Sequence, residues 1–260
     1  MLHYEISGNG KKPLVLLHGF MEDHTIWSDM ESHFSKEFTL IKIDLSGHGK
    51  SENNNAVNSM DFMAEKVKEV IEKLNLNKIN ILGHSMGGYV SLAFAEKFPE
   101  SIESLTLFFS TTLADDEEKK QIRRRSIAVI DENFETFVNT SIPNLFSNNE
   151  KDILEGKIEL AKKIAKSTNK EGVKAAQLGM AERPDRTEIL EKLEAKILII
   201  AGKYDNAVKT ENLLNVLPDK TNIKTYVLDC GHCGHWEKPT ICAEIINTEL
   251  LHNLPKKLVF

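Results

Sequence analysis

The sequence of 260 residues has little cysteine, no long apolar run and no excess of positive charge. Its three cysteines, Cys230, Cys233 and Cys242, lie close together near the C-terminus, and an odd cluster of this kind cannot cross-link so long a chain. The longest uninterrupted apolar runs, residues 14–17 and 197–200, are far below the roughly 18 residues that a membrane-spanning helix needs. We therefore expect reduced thiols and no membrane segment.

Charge excludes a further class of partner. Lys and Arg total 33 against 39 Asp and Glu, so the net charge is −6 and no global positive field exists to attract nucleic acid or anionic lipid. The N-terminus has no basic flank and reaches Gly8 before any hydrophobic stretch, unlike a secretory signal. We expect a cytoplasmic protein that acts on a small molecule, with neither nucleic acid nor membrane as partner; its oligomeric state is left open.

Short apolar runs alternate with longer amphipathic stretches, the pattern of parallel strands joined by crossover helices. Each run is almost continuously apolar, as expected of strands that are covered on both faces. The candidate strands are residues 14–17, 39–45, 79–82, 105–109, 197–201 and 225–228, with residues 2–7 as an antiparallel edge. The predicted fold class is α/β, with a mostly parallel sheet flanked by helices.

Two helices are predicted between these strands. From Met60 to Leu74, apolar residues recur three and four positions apart and form one stripe. A second helix is expected from Tyr89 and must end before Pro99, because the residue preceding a proline avoids helical backbone angles.

The alternation stops between about residues 113 and 186, where charge is dense and no strand pattern occurs. Residues 154–165 carry a helical stripe, and Pro143 separates them from an earlier, poorly patterned helix. The charge runs at 115–120 and 123–125 are interpreted as solvated helix faces. We predict a core domain of residues 1–112 and 187–260 and a helical cap insertion of residues 113–186.

The segment Gly83-His84-Ser85-Met86-Gly87-Gly88 follows one predicted strand and precedes a predicted helix. A G-x-S-x-G sequence in this context is typical of a nucleophile turn, in which the central residue has strained backbone angles and its neighbours have no room for side chains. Ser85 is therefore the candidate nucleophile. The alternative is a glycine-rich turn with an incidental serine.

A serine hydroxyl needs a neutral imidazole to accept its proton and a carboxylate to orient that imidazole. The carboxyl ends of parallel strands meet at one edge of a sheet, so both partners should follow later strands. Asp205 follows the strand at 197–201 and is the predicted acid. His232 and His235 follow the last strand, and one of them is the predicted base.

Five stretches together resemble the α/β-hydrolase fold superfamily, in its branch of small, capped, carboxylesterase-like serine hydrolases. These are His18-Gly19-Phe20, residues 44–51 (Asp-Leu-Ser-Gly-His-Gly-Lys-Ser), the Ser85 turn, residues 202–205 and residues 231–239. The resemblance covers nearly the whole chain and includes the order Ser, Asp, His. Its G-H-x-x-x-x-E-x-P pattern, matched by Gly231, Glu237 and Pro239, implies that His232 is the base. His235 would then line the substrate pocket or close a hydrogen bond in its loop.

Acyl transfer also needs hydrogen-bond donors for the oxyanion. The N–H of Met86, after the nucleophile, supplies one, and the resemblance implies the N–H of Phe20 as the other. No cofactor or metal is required. The resemblance favours a small carboxylic ester as substrate, while carbon–carbon bond hydrolases and the elimination-type synthase of menaquinone biosynthesis remain alternatives. A non-catalytic ligand receptor is a further alternative.

Two other patterns are given structural interpretations. Asp44 and Ser51 are predicted to brace a tight turn through side-chain to backbone hydrogen bonds. Cys230-Gly231-His232-Cys233 matches the C-x-x-C pattern of redox enzymes, but it lies too near the C-terminus for that fold. A zinc site in this loop is disfavoured, since four ligands within six residues rarely surround one ion. His18 and His84 are expected to support loop structure.

Overall fold

The computed structural model describes residues 1–149 and 151–251. Within them, seven strands form one sheet in the order β1-β3-β2-β4-β5-β6-β7. The strands are β1 (Tyr4–Ser7), β2 (Lys12–Leu17), β3 (Phe38–Ile43), β4 (Ile79–His84), β5 (Ile102–Phe108), β6 (Lys196–Gly202) and β7 (Ile223–Leu228). β1 runs antiparallel to β3, and the other neighbours are parallel. The predicted fold class is confirmed, including the antiparallel edge.

Helices connect and cover these strands. They are α1 (Ser28–Glu31), α2 (Met60–Lys73), α3 (Met86–Lys97), α4 (Glu117–Ser141), α5 (Glu155–Ser167), α6 (Lys170–Glu182), α7 (Thr187–Lys192), α8 (Thr210–Leu214), α9 (Gly234–Glu237) and α10 (Pro239–Leu251). Short 3-10 helices span His24–Trp27, Pro99–Ser101 and Ile142–Leu145. None of the helices in the described ranges is long and apolar enough to cross a membrane.

The central strands are buried on both faces because their alternate side chains enter two separate apolar cores. In β2, Val15 and Leu17 join the core that contains α2 and α3, whereas Leu14 and Leu16 join the core that contains α10. This explains why the strands lack the alternation of a half-exposed sheet and read as continuous apolar runs.

Both predicted core helices are present. Ser59 caps α2 by accepting a hydrogen bond from the Phe62 N–H at 3.1 Å, and the helix ends at Lys73. α3 begins at Met86, three residues before the predicted start, and ends at Lys97, ahead of Pro99. The earlier start matters because it places Ser85 directly at the helix N-terminus.

A helical segment, residues 113–186, joins β5 to the α7–β6 region, as the sequence suggests. α5 carries the predicted stripe, and Pro143 lies in the 3-10 turn that follows α4. Helix α6 was not predicted; its small residues Gly172 and Gly179 let its backbone approach Gly47 and Asn58 closely. The division into core and cap domains remains a prediction, and residues 252–260 of the predicted core lie outside the described residues.

The charge runs in this segment are only partly solvated. Arg124 and Arg125 are exposed as expected. Asp115, however, is buried and forms ion pairs with Arg123 and with Arg183, the latter at 2.8 Å. Because Asp115 and Arg183 lie at opposite ends of the segment, this cluster fastens its two ends together.

Sheet order locates the crevice of the fold. The chain passes from β2 to β3 on one side and then returns across β2 to β4 on the other, so the connections leaving β2 and β4 diverge. In open α/β sheets, ligands bind at such a switch point, outside the carboxyl ends of the strands. The loop with Phe20 follows β2 and Ser85 follows β4, so both lie at this point.

Candidate active site

Ser85 occupies a sharp turn between β4 and α3. Its φ of 50° and ψ of −113° lie outside the regions that ordinary residues favour. A Cβ at Gly83 would overlap the backbone of Gly87, so the turn requires glycine there. The end of β5 fixes the strained residue, because the Ser85 N–H donates to the Phe108 carbonyl at 3.0 Å and Ser110 Oγ donates to the Ser85 carbonyl at 2.8 Å.

Both predicted oxyanion donors belong to segments at the same rim. Met86 is the first residue of α3, so its N–H has no partner within the helix and lies at the positive end of the helix dipole. Phe20 follows β2, whose last residue, Leu17, pairs with Gly83 in β4. The Phe20 ring packs against both apolar cores, so its core role and a backbone role are compatible.

Asp205 and His232 are brought together by the loops after β6 and β7. Asp205 Oδ2 lies 2.7 Å from His232 Nδ1, and both side chains are almost fully buried. Asp205 Oδ1 accepts hydrogen bonds from the N–H groups of Ala207 and Val208, each at 2.8 Å. Since a carboxylate only accepts, Nδ1 of His232 carries a proton, and in the neutral ring Nε2 is left as the acceptor.

His232 also lies beside the nucleophile turn. His84, which immediately precedes Ser85, has its ring centroid 5.0 Å from that of His232. The Nε2 of His84 lies 3.0 Å from the carbonyl oxygen of His232. The predicted acid, base and nucleophile therefore come from three loops on one edge of the sheet.

Glu237 anchors the loop that carries His232. Its carboxylate accepts from the N–H groups of Gly231 at 2.8 Å and Cys233 at 3.1 Å. It also accepts from the Ser147 N–H at 3.1 Å, in the helical segment of residues 113–186. The glutamate of the G-H-x-x-x-x-E-x-P pattern thus joins the His232 loop to that segment.

Of the two roles predicted for His235, closing a hydrogen bond in its loop is contradicted, and lining the substrate pocket stays a prediction. Its ring is fully buried, and neither ring nitrogen has a hydrogen-bond partner among the described residues. Burial and the neighbouring positive charge of His84 hold the pKa of His235 well below its usual value. His235 is therefore a neutral core residue and not one that closes a hydrogen bond in its loop. Its ring packs against those of His84 and Trp236, with centroid distances of 4.6 and 4.3 Å.

The cysteines are free and buried. Burial raises the pKa of the Cys230 thiol, and likewise that of Cys233, far above the usual range of a thiol. A redox or nucleophilic cysteine needs the opposite shift, since the thiolate is the reactive form. These thiols behave as core groups.

The loop at residues 44–51 is braced as predicted. Asp44 Oδ2 accepts from the Lys50 N–H at 3.0 Å, and Ser51 Oγ donates to the Asp44 carbonyl at 2.6 Å. His18 links the loop after β2 to this turn, because its Nε2 accepts from the Leu45 N–H at 2.9 Å. The expected supporting role of His18 is confirmed.

In the part of the chain that the structure describes, two clusters have ligand atoms close enough to surround a metal ion: His3, His24 and Asp44, and Glu22, His84 and His235. In the first, both imidazoles already bind Asp44 at 2.8 Å. In the second, Glu22 already binds His84 at 2.8 Å. These imidazole–carboxylate distances of 2.8 Å are those of hydrogen bonds. Glu22 was not among the predicted site residues, although an acid three residues after Gly19 in the loop after β2 is a visible signal.

The fold and this arrangement define an α/β enzyme built around a strand–serine–helix turn. A family profile described as "alpha/beta hydrolase fold" matches residues 12–239. The chain therefore belongs to the α/β-hydrolase fold family, and it is a hydrolase of that family.

Individual relatives span several chemistries. The chain is 27% identical, over 91% of its length and 86% of the relative's, to the 2-hydroxy-6-oxononadienedioate/2-hydroxy-6-oxononatrienedioate hydrolase of Escherichia coli K12. A solved thermophilic esterase from Thermogutta terrifontis, with malate bound, is 32% identical and superposes with a TM-score of 0.90, covering 96% of this chain and 93% of that one. MenH from S. aureus shares the fold at 23% identity and a TM-score of 0.83, covering 96% and 98%.

Proposed function

We propose that this protein is a serine hydrolase that cleaves a small carboxylic ester through Ser85, His232 and Asp205. The observation that carries the proposal is the 2.7 Å contact between Asp205 and His232, next to a serine with strained backbone angles. A core aspartate would not need a histidine partner, and a receptor would not need the serine turn.

In the proposed mechanism, Ser85 Oγ attacks the ester carbonyl while Nε2 of His232 takes its proton. Asp205 stabilises the imidazolium that forms. His232 then gives the proton to the leaving alcohol, and the Ser85 acyl ester remains. Water, activated by His232, attacks this ester and releases the carboxylic acid. The N–H groups of Phe20 and Met86 bind the oxyanion in both halves, and no step uses a cofactor or metal.

Charge pairing supports an uncharged ester over a dicarboxylate. Three arginines border the ends of the helical segment at residues 113–186, where they could meet an anionic substrate. Arg123 and Arg183 both bind Asp115, and the pKa of that carboxyl is held below its usual value by the two guanidinium groups. Arg186 binds Asp61 at 2.7 Å and Glu96 at 2.8 Å. Each of these guanidinium groups already has a carboxylate partner, so it offers less to a substrate carboxylate than an unpaired arginine would.

The second candidate is carbon–carbon bond hydrolysis, favoured by the 27% identity to an enzyme whose name states a dioate substrate. The same serine, histidine and aspartate could serve it, and fold alone does not separate the two chemistries. Elimination chemistry of the menaquinone-pathway type is a third possibility for this scaffold.

The proposal treats residues 113–186 as a cap over the site. The Leu145 carbonyl accepts from the His232 N–H at 2.7 Å, and Ser147 binds Glu237, so the segment contacts the base loop directly. Substrate would lie between this cap and the Ser85 turn. A cytoplasmic location remains part of the proposal, on the sequence argument alone.

Labelling with a fluorophosphonate tests the nucleophile. The wild-type protein should take up one equivalent, and Ser85→Ala should take up none. Ser91→Ala is the matched control, because Ser91 is a buried serine of α3 whose hydroxyl only donates to the Gly87 carbonyl. Persistent labelling of Ser85→Ala would show that the nucleophile is wrongly assigned.

A substrate panel then separates the chemistries. Short p-nitrophenyl esters, vinylogous diketone dioates and enol-pyruvyl compounds are compared by kcat/KM with the same preparation. We expect the neutral esters to be turned over fastest. A dioate cleaved at least tenfold faster than every ester would replace the ester proposal with the carbon–carbon one.

A further inference from the structure

We propose that Glu22 and His84 form a buried ion pair that positions the nucleophile turn, the oxyanion loop and the base loop relative to one another. The inference deepens the proposed function and rests on it. Neither residue contacts the reacting atoms, so both are positioning residues.

The protonation of His84 follows from its neighbours. Nδ1 lies 2.8 Å from Glu22 Oε2, and Nε2 lies 3.0 Å from the His232 carbonyl oxygen. A carboxylate and a carbonyl can only accept hydrogen bonds, so both ring nitrogens must donate. His84 is therefore an imidazolium, and the side chain is only 1% exposed.

Glu22 connects this cation to the oxyanion loop. The same oxygen that faces His84, Oε2, accepts from the Gly19 N–H at 2.6 Å. A Cβ at Gly19 would lie 2.7 Å from that oxygen and 2.8 Å from His84 Nδ1, so the backbone approaches the pair as closely as glycine allows. The residue before Phe20 is thus fixed by the pair.

Three loops meet at this pair. His84 directly precedes Ser85, Gly19 directly precedes Phe20, and His232 is held through its own carbonyl. Asp205 orients the His232 ring from one side, and His84 fixes its backbone from the other. A shift of about 1 Å in such a site can cost 100-fold in rate, so a device that sets these distances has a kinetic consequence.

The charges around this cluster stabilise one imidazolium, that of His84, and leave His235 neutral. Glu22 raises the pKa of His84 against the opposing effect of burial, and Asp205 acts in the same direction. His84 in turn lowers the pKa of the Glu22 carboxyl. His235, with Nε2 3.7 Å from Glu22 Oε1, is kept neutral by burial and by His84. The cluster holds one cation and one anion, without net charge.

Glu22→Gln is the discriminating substitution because it keeps the size of the side chain. If the amide oxygen takes the position of Oε2, Gly19 keeps its acceptor. His84 must then either stay charged without a counter-ion or give up the Nε2 proton that binds the His232 carbonyl. If the amide nitrogen takes the position of Oε2, the Gly19 N–H faces a second donor and loses its hydrogen bond. Neither arrangement preserves all the hydrogen bonds that hold the three loops together.

The experiment measures the rate of fluorophosphonate labelling of Ser85 and the kcat and KM for a short ester. Glu22→Gln should lower the labelling rate and kcat by about 100-fold while KM changes little. Glu31→Gln is the matched control, because Glu31 forms a 2.8 Å ion pair with Lys42 in β3, away from the site. It should label at the wild-type rate.

Nitrogen NMR on ¹⁵N-histidine protein gives a readout that a merely structural role would not move. The wild type at pH 7 should show two protonated ring nitrogens for His84, assigned by their loss in His84→Gln, and Glu22→Gln should show one. A neutral His84 in the folded wild type overturns the ion pair, even if Glu22→Gln does not fold. Labelling of Glu22→Gln within threefold of wild type overturns the positioning role, whereas no labelling of the wild type overturns the proposed function instead.

Discussion

Asp205→Asn gives the sharpest test of how the His232 imidazole is held. Asp205 Oδ1 accepts two backbone N–H groups, from Ala207 and Val208, at 2.8 Å each. In the variant, those donors force the amide oxygen into the Oδ1 position. The amide NH₂ must then occupy the Oδ2 position, 2.7 Å from Nδ1 of His232.

The substitution therefore reverses the tautomer of the base. An NH₂ group donates, so Nδ1 of His232 must accept, and the ring proton moves to Nε2. An Nε2–H cannot take the proton of Ser85. The same exchange in an established Ser-His-Asp triad lowers kcat by about 10⁴, equivalent to about 5 kcal/mol in the barrier. Because the side chain keeps its shape and its two backbone bonds, the loss should come without a large fall in stability.

The assay is hydrolysis of p-nitrophenyl acetate at pH 7.5, with thermal unfolding followed by circular dichroism to show that the variant is folded. Asp229→Asn is the matched control, since Asp229 lies on the neighbouring loop, is exposed and pairs only with the exposed Lys203. It should keep kcat within twofold of wild type. If Asp205→Asn retained more than a tenth of the wild-type kcat, Asp205 would not orient the base and the triad assignment would be wrong.

Three further predictions concern stability and reactivity. Gly87→Ala should lower the free energy of unfolding by about 3 kcal/mol in urea titrations, because its Cβ would overlap the Leu17 carbonyl oxygen at the end of β2 and lie 2.6 Å from that of His18; Gly156→Ala, with open space around it, should not lower it. The pKa of His24 is raised, chiefly by its hydrogen bond to Asp44. The stabilising effect of His24 is therefore present below about pH 6.5 and is lost as the pH rises through the raised pKa. The difference in unfolding free energy between wild type and His24→Gln should be larger at pH 5.5 than at pH 9, and an equal difference would contradict the pairing. Cys233 should react with a thiol reagent only as fast as the protein unfolds, and rapid labelling of the native protein would contradict its burial.

Local pattern was enough to predict the strands of the sheet and the helices α2, α3 and α5. The predicted strands and the stripe from Met60 to Leu74 correspond to observed elements because fully buried strands and amphipathic helices differ in apolar spacing. α6 was not predicted because most of its buried residues are glycine or alanine. Gly172 and Gly179 contribute close backbone contact instead of an apolar stripe, and periodicity of hydrophobicity does not record that.

The candidate site likewise contains residues that local sequence patterns indicate and residues whose contacts those patterns do not indicate. Ser85, Asp205 and His232 are visible in the sequence because a nucleophile turn and two strand-end loops restrict where such residues can lie. The sequence did not indicate that Glu22 contacts Gly19 and His84, or that the His235 ring nitrogens have no hydrogen-bond partner among the described residues. Whether a buried histidine is charged depends on which acceptors surround both its nitrogens, and those acceptors come from distant parts of the chain.

The α/β class, the order of the strands along the chain and the sharp turn at Ser85 could be predicted from local patterns, because each depends on residues that are near one another in sequence. Long-range contacts appear only in the folded chain, where Asp205 contacts His232, Arg183 pairs with Asp115, and one Glu22 oxygen contacts both Gly19 and His84. Those facts depend on distances between residues far apart in the chain, and charge and hydrogen bonding are set by such distances rather than by residue type alone.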